Sequence, residues 1–147
     1  MEQTHLGKKY LRWIAALIAV FFGLATIKAG GQVLFGSEEA RIAAGHYIPF
    51  VLWFNFSAGF LYVIAGIGIA MQKQWSVVLA LFILVSTAFV FAAFGISVFF
   101  AGIDYESRTV GAMTFRTVVW ALLFTMTYKQ FHGLKQKTHN QSTHNFE

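Results

Sequence analysis

The sequence contains no cysteine, one proline and few charged residues. Without cysteine, the chain has no disulfide, no thiolate metal ligand and no thiolate-held iron–sulfur cluster. Charged residues make up 12% of the chain, whereas an ordinary soluble domain carries about a quarter. These scarcities exclude a disulfide-rich secreted domain and argue against a water-soluble protein.

Hydrophobic residues supply 57% of the chain, and the mean hydropathy is +0.61. They form four windows, each about as long as the 20 residues needed to cross roughly 30 Å of hydrocarbon. Their hydrophobicity is continuous rather than alternating, which favours helices over a β-barrel. The windows cover about residues 11–30, 47–71, 75–101 and 110–128. The sequence therefore predicts an all-α fold, an integral membrane bundle of four transmembrane helices in one domain over residues 1–132.

Basic residues are distributed unevenly between the two predicted ends of the bundle. Seven of the eleven lie on one side, while four basic and four acidic residues lie on the other. Because cytoplasmic flanks are rich in Lys and Arg, both termini are predicted to be cytoplasmic, and the opposite face is predicted to be periplasmic or extracellular. This topology accounts for the net charge of +5, so no nucleic-acid partner is predicted. The seven residues are Lys8, Lys9, Arg12, Lys73, Lys129, Lys135 and Lys137.

The segments outside the windows have predicted structures of their own. In the first outer connection, Ser37 is a suitable N-cap and Gly45 a suitable end for a short interfacial helix. Pro49 suits the first turn of the second transmembrane helix, where its missing N–H is tolerated. Residues 133–147 are polar and lack apolar periodicity, which predicts a disordered tail.

Small residues recur at helical spacing in three windows and predict close packing between helices. The three stripes are Ala15, Ala19 and Gly23, then Gly59 and Gly66, then Ala88, Ala92 and Gly95.

Polar residues inside the apolar windows are the candidates for function, because a charge in the bilayer centre costs from about 3 to more than 10 kcal/mol. Lys28, Asn55 and Arg116 lie in three different windows, all in the outer half. We expect them to line an outward-facing pocket for an anionic or carbonyl-bearing ligand, since a guanidinium bonds two oxygens at once. A quinone headgroup is one such ligand. Supporting ion-pair residues are expected at the same level: Asp104, Glu106, Arg108 and His46.

Each of these residues also has a structural interpretation. Arg116 could pair with Glu106 or Asp104 and fix the outer loop. Lys28 could extend to lipid headgroups, and Asn55 could bond a neighbouring helix. No metal site is predicted, because the histidine and carboxylates of the outer loops form no fixed motif. Haem is not predicted either, since the other four histidines lie at or beyond the cytoplasmic ends of the helices.

The first helix reads RWIAALIAVFFGLATIKAGG, and the second reads HYIPFVLWFNFSAGFLYVIAGIGI. This layout resembles the DoxX-like family of small four-helix integral membrane proteins. The resemblance covers roughly the first half of the chain. In the first helix it consists of Arg12 at the cytoplasmic start and of a glycine and Lys28 towards the outer end. In the second helix it consists of Pro49 at the start and of glycines in the second half. Members often carry an acidic residue where this chain has Asn55. The resemblance implies a link to membrane redox complexes and quinone-linked oxidation, with Lys28 as a matching position.

Together with the resemblance, these features predict an accessory or ligand-binding subunit of the bacterial inner membrane, which holds a small lipophilic or anionic molecule in the outer half of the bundle. Its expected partners are membrane lipids and a membrane redox partner. The alternative is a small transporter or channel that works as a homo-oligomer, because four helices enclose little space. Catalytic activity of its own is not predicted, since nucleophile motifs, P-loops and dinucleotide fingerprints are absent. The identity of any cofactor is left open.

Overall fold

The fold is all-helical wherever the structure describes the chain. The computed structural model describes the backbone of residues 3–102, 105 and 107–144, and the side chains of residues 7, 9–100, 102, 105 and 107–131. Within these ranges there are five helices and no strand. They are α1 (Gln3–Phe35), α2 (Glu38–Ala44), α3 (Pro49–Ala70), α4 (Trp75–Ala101) and α5 (Ser107–His144). All except the short α2 are long and apolar enough to cross a membrane.

The first and last helices extend beyond the predicted windows. A helix that an apolar span has nucleated propagates easily into adjoining polar residues. With 38 residues at about 1.5 Å each, α5 is longer than the roughly 30 Å of a hydrocarbon core. Where the sequence predicts a disordered tail over residues 133–147, the backbone is helical through His144, and residues 145–147 lie outside the described part.

Helix α2 confirms the helical turn predicted between the first two spans. Ser37 occupies the N-cap position, although its side chain makes no capping hydrogen bond to a described residue. Gly45 ends the helix with φ 66° and ψ −146°, a backbone conformation that only glycine adopts readily. Pro49 lies in the first turn of α3, as predicted.

The four long helices form a ring in which each packs on the next. The contact of α1 with α3 is the most extensive, α3 packs on α4 and α4 on α5, and α5 touches α1 only sparsely. Consecutive long helices run in opposite directions, so α2 and the start of α5 lie at one end of the bundle, called the α2 end below. The core is made mostly of alanine, isoleucine and two large aromatic side chains, Tyr62 and Trp120.

Small residues bring α1 and α3 together as predicted. A Cβ added at Gly23 would lie 2.7 Å from the carbonyl oxygen of Gly59, and one at Gly66 would lie 3.0 Å from that of Ala16. Ala15 and Ala19 are buried in the same core. The two backbones are therefore too close for any larger side chain at these positions.

The third predicted stripe does not pack, so that prediction is wrong. Ala88 and Ala92 are exposed on α4, and a Cβ at Gly95 would meet no described atom within 4 Å. Helical spacing shows that three residues share a face, but the packing of the other helices decides whether that face points inward.

Replacing Gly23 with alanine tests the close contact between α1 and α3. We expect Gly23→Ala to lower the free energy of unfolding by about 1–3 kcal/mol, because the new methyl group meets the backbone of α3. Gly95→Ala is the matched control and should be neutral or stabilise by up to about 1 kcal/mol, since it adds a helix-favouring residue in open space. Thermal unfolding in detergent measures both changes, and equal melting temperatures for the two variants would contradict the packing described.

Candidate functional site

A pocket of about 460 Å³ lies at the α2 end of the bundle. Its described lining comprises five residues of α1, three of α2, two of α3 and four of α5, with none from α4. It therefore lies beside α1 and α5, which are the neighbouring helices with the least contact. The polar lining residues are Thr26, Gln32, Asn55, Arg108, Thr109 and Arg116.

Three of the predicted site residues come together in this pocket: Asn55, Arg108 and Arg116. Lys28 does not join them. The residues of α1 that line the pocket, among them Thr26 and Val33, follow one helix face, and Lys28 is exposed to one side of that face. The position of Lys28 along α1 predicts its level in the bundle but not the direction of its side chain.

Two of the four predicted supporting residues, Arg108 and His46, lie in the described part of the structure. Arg108 is exposed and lines the pocket near the start of α5. His46 is exposed in the link between α2 and α3 and is not among the described lining residues. Asp104 and Glu106 lie outside the described residues, so their ion pairs stay predictions.

Arg116 is the most unusual residue of the pocket, because it is charged and only 8% exposed. Its Nη1 donates to the Sδ of Met113 at 3.6 Å, and sulfur is a weak acceptor. Its guanidinium carbon lies 5.7 Å from the ring centre of Phe22, within cation–π range. The Nε is buried and has no hydrogen-bond partner among the described residues. A buried donor without a good acceptor is destabilising, and an oxygen atom in the pocket would relieve this.

The other polar groups of the pocket also suit an oxygen-bearing ligand. The Oδ1 of Asn55 is buried without a described hydrogen-bond partner, and the amide can present either its oxygen or its N–H groups. Arg108 adds a second positive charge, and no acidic residue is among the described lining residues. The described lining is therefore positively charged and rich in donors, which favours carboxylate or carbonyl oxygens.

A cluster of buried side chains outside the predicted set lies next to Arg116, deeper in the bundle than the described lining of the pocket. Tyr62 and Trp120 are 0% exposed, and their ring centres are 4.7 Å apart. The hydroxyl of Tyr62 has the polar groups of Arg116, Thr87 and Trp120 as neighbours, but no contact of this hydroxyl with a described group has full hydrogen-bond geometry. We therefore regard the cluster as a packed layer rather than a hydrogen-bonded network. Its signal in the sequence is helical spacing, because Trp120 lies one turn beyond Arg116 on the same face.

Helix α2 forms the outer wall of the pocket. It contributes three alanines to the lining, and Arg41 ties it to the end of α1. The Arg41 side chain donates to the carbonyl oxygens of Val33 at 3.3 Å and Leu34 at 3.4 Å, which are among the carbonyls left open where a helix ends.

No family model, curated protein or solved structure matches this chain. The interpretation of the pocket therefore depends on its own geometry and charge.

Replacing Arg116 with methionine distinguishes a ligand-binding arginine from a structural one. Methionine has a similar length and no charge, so Arg116→Met should stabilise the ligand-free protein, just as the exchange of whole buried ion pairs for apolar residues can stabilise by about 1–4 kcal/mol. Arg116 in a structural ion pair would give the opposite result, a loss of about 3–5 kcal/mol. Thermal unfolding after detergent washing measures the difference, and the exposed Arg108→Met is the control, with an expected change within about 0.5 kcal/mol.

Proposed function

We propose that this protein is a multi-pass protein of the bacterial inner membrane, with both termini in the cytoplasm and the α2 end facing outward. The outer surface of the bundle supports insertion in lipid, since only 22–33% of each candidate span is buried and large side chains such as Phe89 and Phe99 are more than 70% exposed. The excess of lysine and arginine at the end opposite α2 supports the orientation.

Within that membrane, the protein acts as an accessory or ligand-binding subunit that holds a small lipophilic or anionic molecule. The single observation that carries this proposal is the buried guanidinium of Arg116, which lines the pocket with its Nε unpartnered among the described residues. Carbonyl or carboxylate oxygens are the acceptors that would satisfy it. A quinone headgroup has such oxygens, and the resemblance to the DoxX-like family favours a quinone and a membrane redox partner.

Binding is favoured over transport by the packing in the middle of the bundle. Tyr62 and Trp120 are completely buried, their ring centres are 4.7 Å apart, and Arg116 is a neighbour of Tyr62. Among the described residues, this packed pair occupies the middle of the bundle, which supports a pocket rather than a channel through one copy of the chain. A transporter or channel would need several copies of the chain, and solute flux in proteoliposomes at the rate of a carrier would contradict the binding proposal.

Single-cysteine labelling tests the orientation, because the chain has no cysteine of its own. Glu38 in α2 and Lys73 in the turn between α3 and α4 are both exposed. We expect a membrane-impermeant maleimide to modify Glu38→Cys in cells with a permeable outer membrane, and Lys73→Cys only after the inner membrane is opened. The reverse pattern would place the pocket on the cytoplasmic side.

Ligand binding tests the pocket, with a decyl-substituted benzoquinone and decanoate as probes in nanodiscs. Loss of charge-assisted hydrogen bonds worth about 1.5–3 kcal/mol should weaken binding of the preferred probe about tenfold to a hundredfold in Arg116→Gln. Lys28→Gln is the matched control, because Lys28 is a positive charge in the same half of the bundle but outside the pocket. This variant should bind the probe like the wild type. Wild-type protein that binds neither probe, or Arg116→Gln with unchanged affinity, would contradict the proposal.

A further inference from the structure

We infer that the pocket takes an amphipathic lipid, whose oxygen-bearing head contacts Arg116 and whose apolar tail leaves sideways between α1 and α5. This inference rests on the proposed function and specifies the class of ligand at the same site. It distinguishes a lipid from a small soluble acid, which would have the same head chemistry without the tail.

The depth of Arg116 is the first argument for a lipid. Arg116 follows the first residue of α5, Ser107, by nine positions, which is about 14 Å along the helix axis. With the start of α5 at the membrane surface, that distance places the backbone of Arg116 within a hydrocarbon core of roughly 30 Å. The guanidinium lies beside Phe22, which precedes the end of α1 by 13 residues and is therefore also well inside the span. A head that reaches this depth carries any attached tail into the hydrocarbon as well.

A sideways opening between α1 and α5 is the second argument. These helices make the sparsest contact of the four neighbouring pairs in the ring. At the level of the pocket each presents an alanine, Ala29 on α1 and Ala112 on α5, and both alanines line the pocket while remaining exposed. The pocket therefore reaches the surface between α1 and α5 at two small, exposed side chains. This part of the pocket rim, between Ala29 and Ala112, is called the side opening below.

The surfaces beside the side opening match an amphipathic molecule. Next to the charged group of Arg116, Phe22 of α1 and Phe115 of α5 meet edge to face with ring centres 5.7 Å apart. Phe115 is 59% exposed, so this apolar pair is accessible from outside the bundle. Eight of the fourteen described lining residues have no polar side-chain group. A small acid would satisfy Arg116 but would leave this apolar surface uncovered.

Photolabelling locates the tail directly. The probe is a fatty acid with a diazirine at mid-chain, added to the protein in nanodiscs and mapped by mass spectrometry after illumination. We expect the probe to label Phe22, Phe115 and Ala112. Excess decanoate should compete with the probe and remove this labelling, and the labelling should fall at least tenfold in Arg116→Gln. Labelling of Phe89, which is 73% exposed on α4, reports the surrounding lipid and should be unaffected.

A bulky residue at the side opening provides the second measurement. Ala112→Phe should block the tail and weaken fatty-acid binding at least tenfold, whereas Ala92→Phe, at an exposed position on α4, should bind like the wild type. If Ala112→Phe does not fold, the label positions in the wild type decide alone.

The outcomes separate the two proposals. Two results would overturn the lipid inference and leave the binding function standing. One is binding that depends on Arg116 while excess decanoate does not reduce the labelling at the side opening. The other is acetate binding that is as tight as fatty-acid binding. Affinity that does not depend on Arg116 overturns the proposed function itself.

Discussion

The burial of one guanidinium group in an apolar helical bundle is the constraint on which this structure depends. Arg116 is almost completely buried, and its described polar contact is with the sulfur of Met113. In such surroundings a charge without good acceptors lowers stability. The surrounding helices nevertheless bury it, with the ring of Phe22 5.7 Å away and the packed pair of Tyr62 and Trp120 beside it. A destabilising group held in a fixed position beside a cavity is typical of a binding site.

The bundle combines one tight contact with one loose contact, and the pocket follows from that difference. Where α1 meets α3, glycines bring the backbones so close that an added methyl group at Gly23 would touch a carbonyl oxygen. Where α1 faces α5 the contact is sparse, and Ala29 and Ala112 line the pocket at the α2 end of the bundle. Because small residues allow close approach on one side and leave space on the other, α1, α3 and α5 form a pocket that α2 covers at its outer end.

The sequence predicts the number of helices and the depth of each polar residue, but not the rotation of each helix about its axis. Counting along the windows placed Asn55, Arg108 and Arg116 at one level, and all three line the pocket. The same count placed Lys28 at that level, yet its side chain points elsewhere. Rotation depends on contacts between distant segments, which a single sequence does not specify. For the same reason the sequence wrongly predicts close packing for the small-residue stripe of α4 and does not reveal the layer formed by Tyr62 and Trp120.

The central claim is that an oxygen-bearing molecule occupies the pocket and is held there by Arg116. Native mass spectrometry of protein released from nanodiscs, after purification from its own membrane, tests it most directly. Wild-type and Lys28→Gln proteins should each retain one molecule of defined mass with carbonyl or carboxylate oxygens, and Arg116→Gln should lack it. Identical spectra for wild-type and Arg116→Gln proteins, with ordinary phospholipid as the sole adduct, would contradict the account.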